Sequence, residues 1–80
     1  MPLPDLNHLR TFTELYERRS LTATAEALHV TQPTVSYTLA RLRERFGDVL
    51  FRREGNVMVP TPRATALFAP LREALAQIDS

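Results

Sequence analysis

Thr34, Tyr37, Thr38, Arg41 and Arg45 recur at steps of three, one, three and four residues, with Gln32 just ahead of them. Wound at about 100° per residue, they share one side of a helix. Hydroxyls, an amphipathic ring and two guanidinium groups in one place can hydrogen-bond nucleobase edges and phosphate oxygens, and a helix fits a DNA major groove roughly 12 Å wide. The opposite side of the same segment carries Val35, Leu39, Leu42 and Phe46, the stripe a core requires. A merely solvated face usually mixes glutamate with lysine, whereas this chain contains no lysine. Every cation is an arginine, whose planar fork matches phosphate and guanine geometry. A GC-rich gene produces the same bias, so arginine usage alone leaves the solvated face open as the alternative. Between Thr31 and Arg63, six arginines (41, 43, 45, 52, 53 and 63) stand against Glu44, Asp48 and Glu54. The positive charge is therefore local, although the whole chain carries only +1.

Such a face must be held by a core, and the flanking sequence predicts one. Leu6, Leu9, Phe12, Leu15 and Tyr16 form the stripe of a first helix that Asp5 caps and that ends near Arg18. Ser20 is placed to cap a short second helix with Leu21, Ala25 and Leu28 on one side and small alanines between. After a turn at His29 and Val30, Thr31 caps the third helix, Pro33 occupies its first turn, and Gly47 ends it. His8 is expected on the exposed side of the first helix. Two apolar runs, Val49-Leu50-Phe51 and Val57-Met58-Val59, flank Arg52-Arg53-Glu54-Gly55-Asn56 and predict paired strands with a Gly-Asn turn. A hairpin beside such a helix is a wing, with Arg52 and Arg53 near its tip within reach of phosphates or a minor groove; a solvated hairpin with surface arginines is the alternative. Past Pro60-Thr61-Pro62, the residues Ala64, Phe68, Leu71, Leu75 and Ile78 make a seam of coiled-coil type. Part of it can pack back on the domain, but a two-fold dimer is the expected use. Pro70 removes the bond to the Ala66 carbonyl and predicts a kink.

The fold expected is thus mostly α, a winged helix-turn-helix of three helices and a β-hairpin over residues 1–60, followed by a linker helix over 61–80. Eighty residues allow one domain near the lower size limit for independent stability, so a second subunit helps. There are no cysteines and only two histidines, His8 and His29, too few for a closed zinc site; neither metal nor cofactor is expected. No stretch approaches the roughly 20 apolar residues of a membrane span, and the opening Met1 to Asp5 lacks the pattern of a signal peptide, which places the protein in the cytoplasm. No nucleophile, base and orienting group stand at catalytic spacing, so an enzyme is not expected. The rival class is a protein-interaction module that presents the same third-helix face to another protein.

The run from Ser20 through Thr22, Thr24-Ala25, Leu28, Val30 and Thr31-Gln32-Pro33-Thr34-Val35-Ser36, followed by Leu42, Gly47, Leu50-Phe51 and Arg53, resembles the amino-terminal signature of LysR-type transcriptional regulators. The resemblance covers essentially the whole chain. Phe46 to Phe51 together with Val59 to Ala64 is most similar to the branch that includes nodulation regulators and regulators of aromatic-compound catabolism. Four positions depart from the usual pattern: Thr24 precedes Ala25 where paired alanines are common, Tyr37 stands where many members have arginine, Arg43 where many have glutamate, and Ala64 where many have glycine.

The resemblance implies a dimer of heads on double-stranded DNA, reading an interrupted palindrome near a promoter, with the linker helices in contact. In mechanistic terms, Gln32, Pro33, Thr34, Ser36 and Tyr37, the last through its ring or hydroxyl, are expected to meet base edges and nearby backbone, Thr31, Thr38 and Arg41 to hold phosphates, and Arg53, with Arg52, to reach backbone or minor groove. Ala64, Phe68, Leu71, Leu75 and Ile78 would form the dimer contact. Members are typically tetramers whose carboxy-terminal effector domain binds a small inducer; that domain lies outside this chain, so neither inducer nor operator is legible in it.

Overall fold

A computed structural model of the chain describes residues 5–80; Met1 to Pro4, part of the opening read as unlike a signal peptide, lie outside the described residues. The order is α1 (Leu6–Arg18), α2 (Leu21–Leu28), α3 (Gln32–Phe46), β1 (Phe51–Glu54), β2 (Val57–Pro60) and α4 (Pro62–Asp79). Each helix starts where a side-chain oxygen satisfies an orphan amide: Asp5 accepts from the Asn7 N–H, Ser20 from Ala23, Thr31 from Thr34 and Thr61 from Ala64. The first three end on left-handed residues, Arg19, His29 and Gly47. At His29 the reversal is tight, because the Val30 N–H donates back to the Ala25 carbonyl at 3.0 Å, and this closes the angle between α2 and α3.

The core lies where α1, α3, the hairpin and α4 meet, with Phe12, Leu15, Leu39, Leu42, Leu50, Phe51, Met58 and Ala64 at its centre. The Phe12 and Phe51 rings are tilted, with centroids 5.6 Å apart. Leu6, expected in the α1 stripe, is 43% exposed. His8 is half-buried rather than exposed, and Phe46, at the far end of α3, is half-buried also.

The first strand begins two residues later than the apolar run suggests. Val49 and Leu50 are a connector, with Val49 half exposed and Leu50 in the left-handed region at φ 67° with its side chain fully buried. A bulky residue holds that conformation only when its surroundings over-determine it. Here the Leu50 N–H donates to the Asp48 carboxylate at 2.8 Å, and its carbonyl accepts from the Thr61 N–H at 2.8 Å. The strands pair antiparallel, Phe51 with Pro60 through Glu54 with Val57, around Gly55 at φ 63°. Arg52 and Arg53 are therefore within the strand, Arg53 one residue pair from the Gly55-Asn56 turn. The hairpin is tied to the head by the Met58 N–H, which donates to the Arg19 carbonyl at 2.9 Å.

The seam of α4 faces its own chain. Ala64 and Leu75 are buried, and Phe68 and Leu71 are half-buried against the core. Phe68 stacks on Tyr16 at 4.1 Å between centroids. Of the five residues expected at a dimer contact, only Ile78 is largely exposed. The physical reason is that α1 offers an adjacent apolar stripe, so the seam is covered before a partner is needed. Two ion pairs fasten the same contact, a two-pronged Arg10–Asp79 pair at 2.6 and 2.7 Å and Arg72–Glu17 at 3.2 Å. The helix continues through Pro70 to Asp79; Pro70 and Ala66 are both exposed, so the carbonyl left without a donor is open to water.

Thr24 is fully buried in α2, and its hydroxyl has no partner among the described residues. An unpaired buried hydroxyl costs about 1 to 3 kcal/mol. Thr24→Val, which keeps the shape and removes the hydroxyl, is expected to raise stability by about 1 kcal/mol, read as a higher urea midpoint with an unchanged slope. A lower midpoint would mean that the hydroxyl is satisfied after all.

Candidate nucleic-acid interface

The exposed side of α3 begins at its cap. The hydroxyls of Thr31 and Thr34 are 3.0 Å apart, and the Thr31 oxygen takes the Thr34 N–H at 3.3 Å. Gln32, Pro33, Thr34, Ser36, Tyr37, Arg41 and Arg45 are all exposed. Tyr37 is 63% exposed. Arg41 approaches Glu44 at 3.4 Å, both side chains largely in solvent; such a pair is worth little and leaves the guanidinium available.

Thr38 is the exception. Expected beside Thr34 and Arg41 as a phosphate contact, it is only 6% exposed. It lines a cavity with Asn7, His8 and Thr11 of α1 and with Val35. Its direction lies about 60° from that of Val35, and the start of α1 widens the covered arc past the stripe of large apolar residues. The structure removes Thr38 from the exposed face.

The wing stands beside the amino end of α3. Residues directly opposite in an antiparallel pair share a face, so Arg53 lies on the side of buried Met58 and Phe51, while Arg52 lies with Val59 on the other. Arg53 accordingly lines a cleft with Ser20, Thr22, Gln32, Asn56 and Met58, and its Nε donates to the Gly55 carbonyl at 3.2 Å. The Thr22 hydroxyl donates to Gln32 Oε1 at 3.4 Å, which ties α2 to the first turn of α3.

The angle between wing and α3 is set by groups that spacing did not single out. Arg43 is spent on structure: its Nε and Nη2 donate to the carbonyls of Val49 and Phe51, both at 2.8 Å. Asp48 accepts from the Leu50 N–H and, at 2.8 Å, from the Thr61 hydroxyl. Those two donors, Thr61 first and Leu50 second, hold its pKa below the ordinary aspartate value against desolvation, and Arg63 adds to the effect. A carboxyl depressed on folding contributes stability that is present above its unfolded value, about pH 4, and is lost as pH falls through the folded value. Asp79, depressed by Arg10, works in the same sense. Stability is therefore expected to drop as pH falls below about 4, and Asp48→Asn is expected to make that acid limb shallower. An unchanged limb in thermal melts would show that Asp48 does not contribute it.

Comparison with known proteins follows this geometry. The family model described as bacterial regulatory helix-turn-helix protein, lysR family, matches residues 6–65. The chain is 51% identical to nodulation protein D 1 of Bradyrhizobium sp. (strain NC92) over 75 residues, which are 94% of this chain and 24% of that protein. It thus spans about a quarter of the length of the curated relatives it matches. A probable transcriptional regulator from Pseudomonas aeruginosa superposes with a TM-score of 0.91 at 39% identity, covering 95% of this chain and 26% of that one. The DNA-binding domain of BenM, solved in complex with a catB site 1 DNA, superposes with a TM-score of 0.89 at 29% identity, covering 95% and 85%.

Proposed function

The chain belongs to the lysR family of bacterial regulatory helix-turn-helix proteins, and we propose that it is the DNA-reading head of a cytoplasmic, non-catalytic transcriptional regulator. The observation that carries this is the exposed side of α3, where Gln32, Thr34, Ser36, Tyr37 and Arg41 stand clear of the core while Arg53 of the wing faces their amino end. A helix placed in the major groove presents such side chains to base edges and the flanking phosphates. Gln32, Pro33, Thr34, Ser36 and Tyr37 read base edges, Thr31 and Arg41 hold phosphates, and Arg52 serves on the outer face of the wing.

Two heads related by a two-fold axis would read an interrupted palindrome with half-sites about one helical turn, or a multiple, apart. With the α4 seam occupied by α1, the exposed residues Ala66, Ala69, Pro70 and Ala74, together with Ile78, are the surface left to a dimer contact. We propose a tetramer and an inducer site only for a protein of the relatives' full length.

The test is a fluorescence-anisotropy titration of the chain against its own upstream intergenic DNA and a scrambled duplex at two salt concentrations. Preferential binding to the upstream DNA, with affinity for both falling as salt rises, is the expected result. Equal and negligible binding would return the α3 face to a protein contact.

A further inference from the structure

We propose that Tyr37 is a thymine reader, whose ring packs on the C5-methyl group of one thymine in each half-site. The proposal rests on the DNA-reading function above and deepens it by naming the base group that one residue of the α3 face recognises.

Tyr37 is the one large hydrophobic residue of α3 that stands exposed, at 63%, while its companions Gln32, Thr34 and Ser36 carry hydrogen-bonding groups. Every other contact that could occupy an aromatic ring goes elsewhere. Phe12 meets Tyr16 and Phe51, and Tyr16 meets Phe68. Arg19 lies over Tyr16, and Arg72 over Phe68. Tyr37 enters no such pair among the described residues. Arg41, one turn further along α3, is directed to Glu44 instead of back over the ring. The Tyr37 hydroxyl has no hydrogen bond among the described residues either, whereas that of Tyr16 reaches Thr65 at 3.5 Å. An apolar ring is thus held out to solvent on a polar face, with no task inside its own chain.

Base edges in the major groove present donors and acceptors, and the thymine C5-methyl is the one apolar group among them. An exposed ring on a helix set in that groove is its complement. The hydroxyl cannot carry the discrimination. It donates one bond and meets purine N7, guanine O6 and thymine O4 alike, whereas the forked contact that an arginine makes to guanine needs two donors. The ring's apolar area therefore makes the choice of base. A tyrosine side chain orders only two torsions on binding, so holding it against a methyl costs little. The gain from burying one methyl corresponds to about a fourfold change in affinity.

The experiment uses anisotropy titrations of the wild-type chain, Tyr37→Phe and Tyr37→Ala on the upstream DNA and on copies in which thymines are replaced by uracil, one position at a time in both half-sites. The exchange removes the methyl and leaves the base pairing. At one position the wild-type chain should bind the uracil duplex about fourfold more weakly per half-site, and Tyr37→Phe should show the same deficit. Tyr37→Ala should bind the thymine duplex several-fold more weakly and be indifferent to uracil at that position. Thermal melts establish that each variant is folded. A wild-type chain that prefers the upstream DNA to a scrambled duplex but is indifferent to every uracil overturns the thymine contact and leaves the base-reading face intact. So does a Tyr37→Ala chain that keeps the wild-type deficit at each position. Equal losses in Tyr37→Phe and Tyr37→Ala assign the contact to the hydroxyl and overturn it as well. A wild-type chain with no preference for the upstream DNA overturns both the contact and the reading function.

Discussion

Phe12→Ala is expected to cost about 3 to 5 kcal/mol of unfolding free energy, the range for emptying an aromatic site in a core. Phe12 is fully buried, with its ring between Phe51 of the hairpin and Tyr16 of α1. It thus joins the element that carries Arg53 to the one that α4 rests on. A domain of this size has a total stability of roughly 4 to 12 kcal/mol at the usual value per residue. The variant should therefore lose between about a quarter and all of that stability. Urea unfolding followed by far-ultraviolet circular dichroism reads the loss directly. Phe12→Leu, which keeps most of the volume, should lose no more than about 1.5 kcal/mol and gives a folded comparison. A loss under about 1 kcal/mol in the alanine variant would mean that the three layers do not meet at this ring.

The second large effect is on discrimination. Gln32→Ala is expected to lower affinity for the cognate site by about 1 to 3 kcal/mol, roughly five- to 150-fold, with affinity for scrambled DNA nearly unchanged. Gln32 is exposed in the first turn of α3, and its side chain is oriented by the Thr22 hydroxyl rather than left to rotate. A glutamine so positioned can make the two-bond contact to adenine that the major groove allows. Arg41→Ala supplies the contrast. A phosphate contact should weaken every sequence by the same factor and reduce the salt slope. Were Gln32→Ala to reduce cognate and scrambled binding equally, its base-reading role would be wrong.

The helix boundaries were readable because capping is local. Ser20, Thr31 and Thr61 each need only the next three residues to find their donor, and Gly47 needs none. The polar face of α3 followed from angular spacing alone, which is why most of it stands where expected. Thr38 did not, since the width of a buried arc depends on how many helices pack against it, and spacing along one helix does not contain that. The first strand was displaced for a related reason. Val49-Leu50-Phe51 reads as extended, yet Asp48, Thr61 and Arg43 bind the backbone there and fold Leu50 into the left-handed region. The α4 seam shows the general limit: a repeat of three and four says that a helix has an apolar side, but not whether α1 or another subunit covers it. Thr22 carried no periodic signal, because its partner Gln32 comes from another element.

The Arg10–Asp79 clasp joins residues 69 positions apart, and Leu75 and Ala64 close over α1 on the way. During synthesis from the ribosome, α1, α2 and α3 emerge before the hairpin that packs on Phe12 and the helix that stacks on Tyr16, so α4 must leave the exit tunnel before both rings are shielded. Contacts so distant along the chain are slow to form. The boundary at residue 60 that separates a DNA-binding part from a linker is consequently no boundary for folding: a chain cut after Pro60 would expose the stripe that α4 occupies and would be prone to aggregate, whereas one ending at Ser80 carries its own cover.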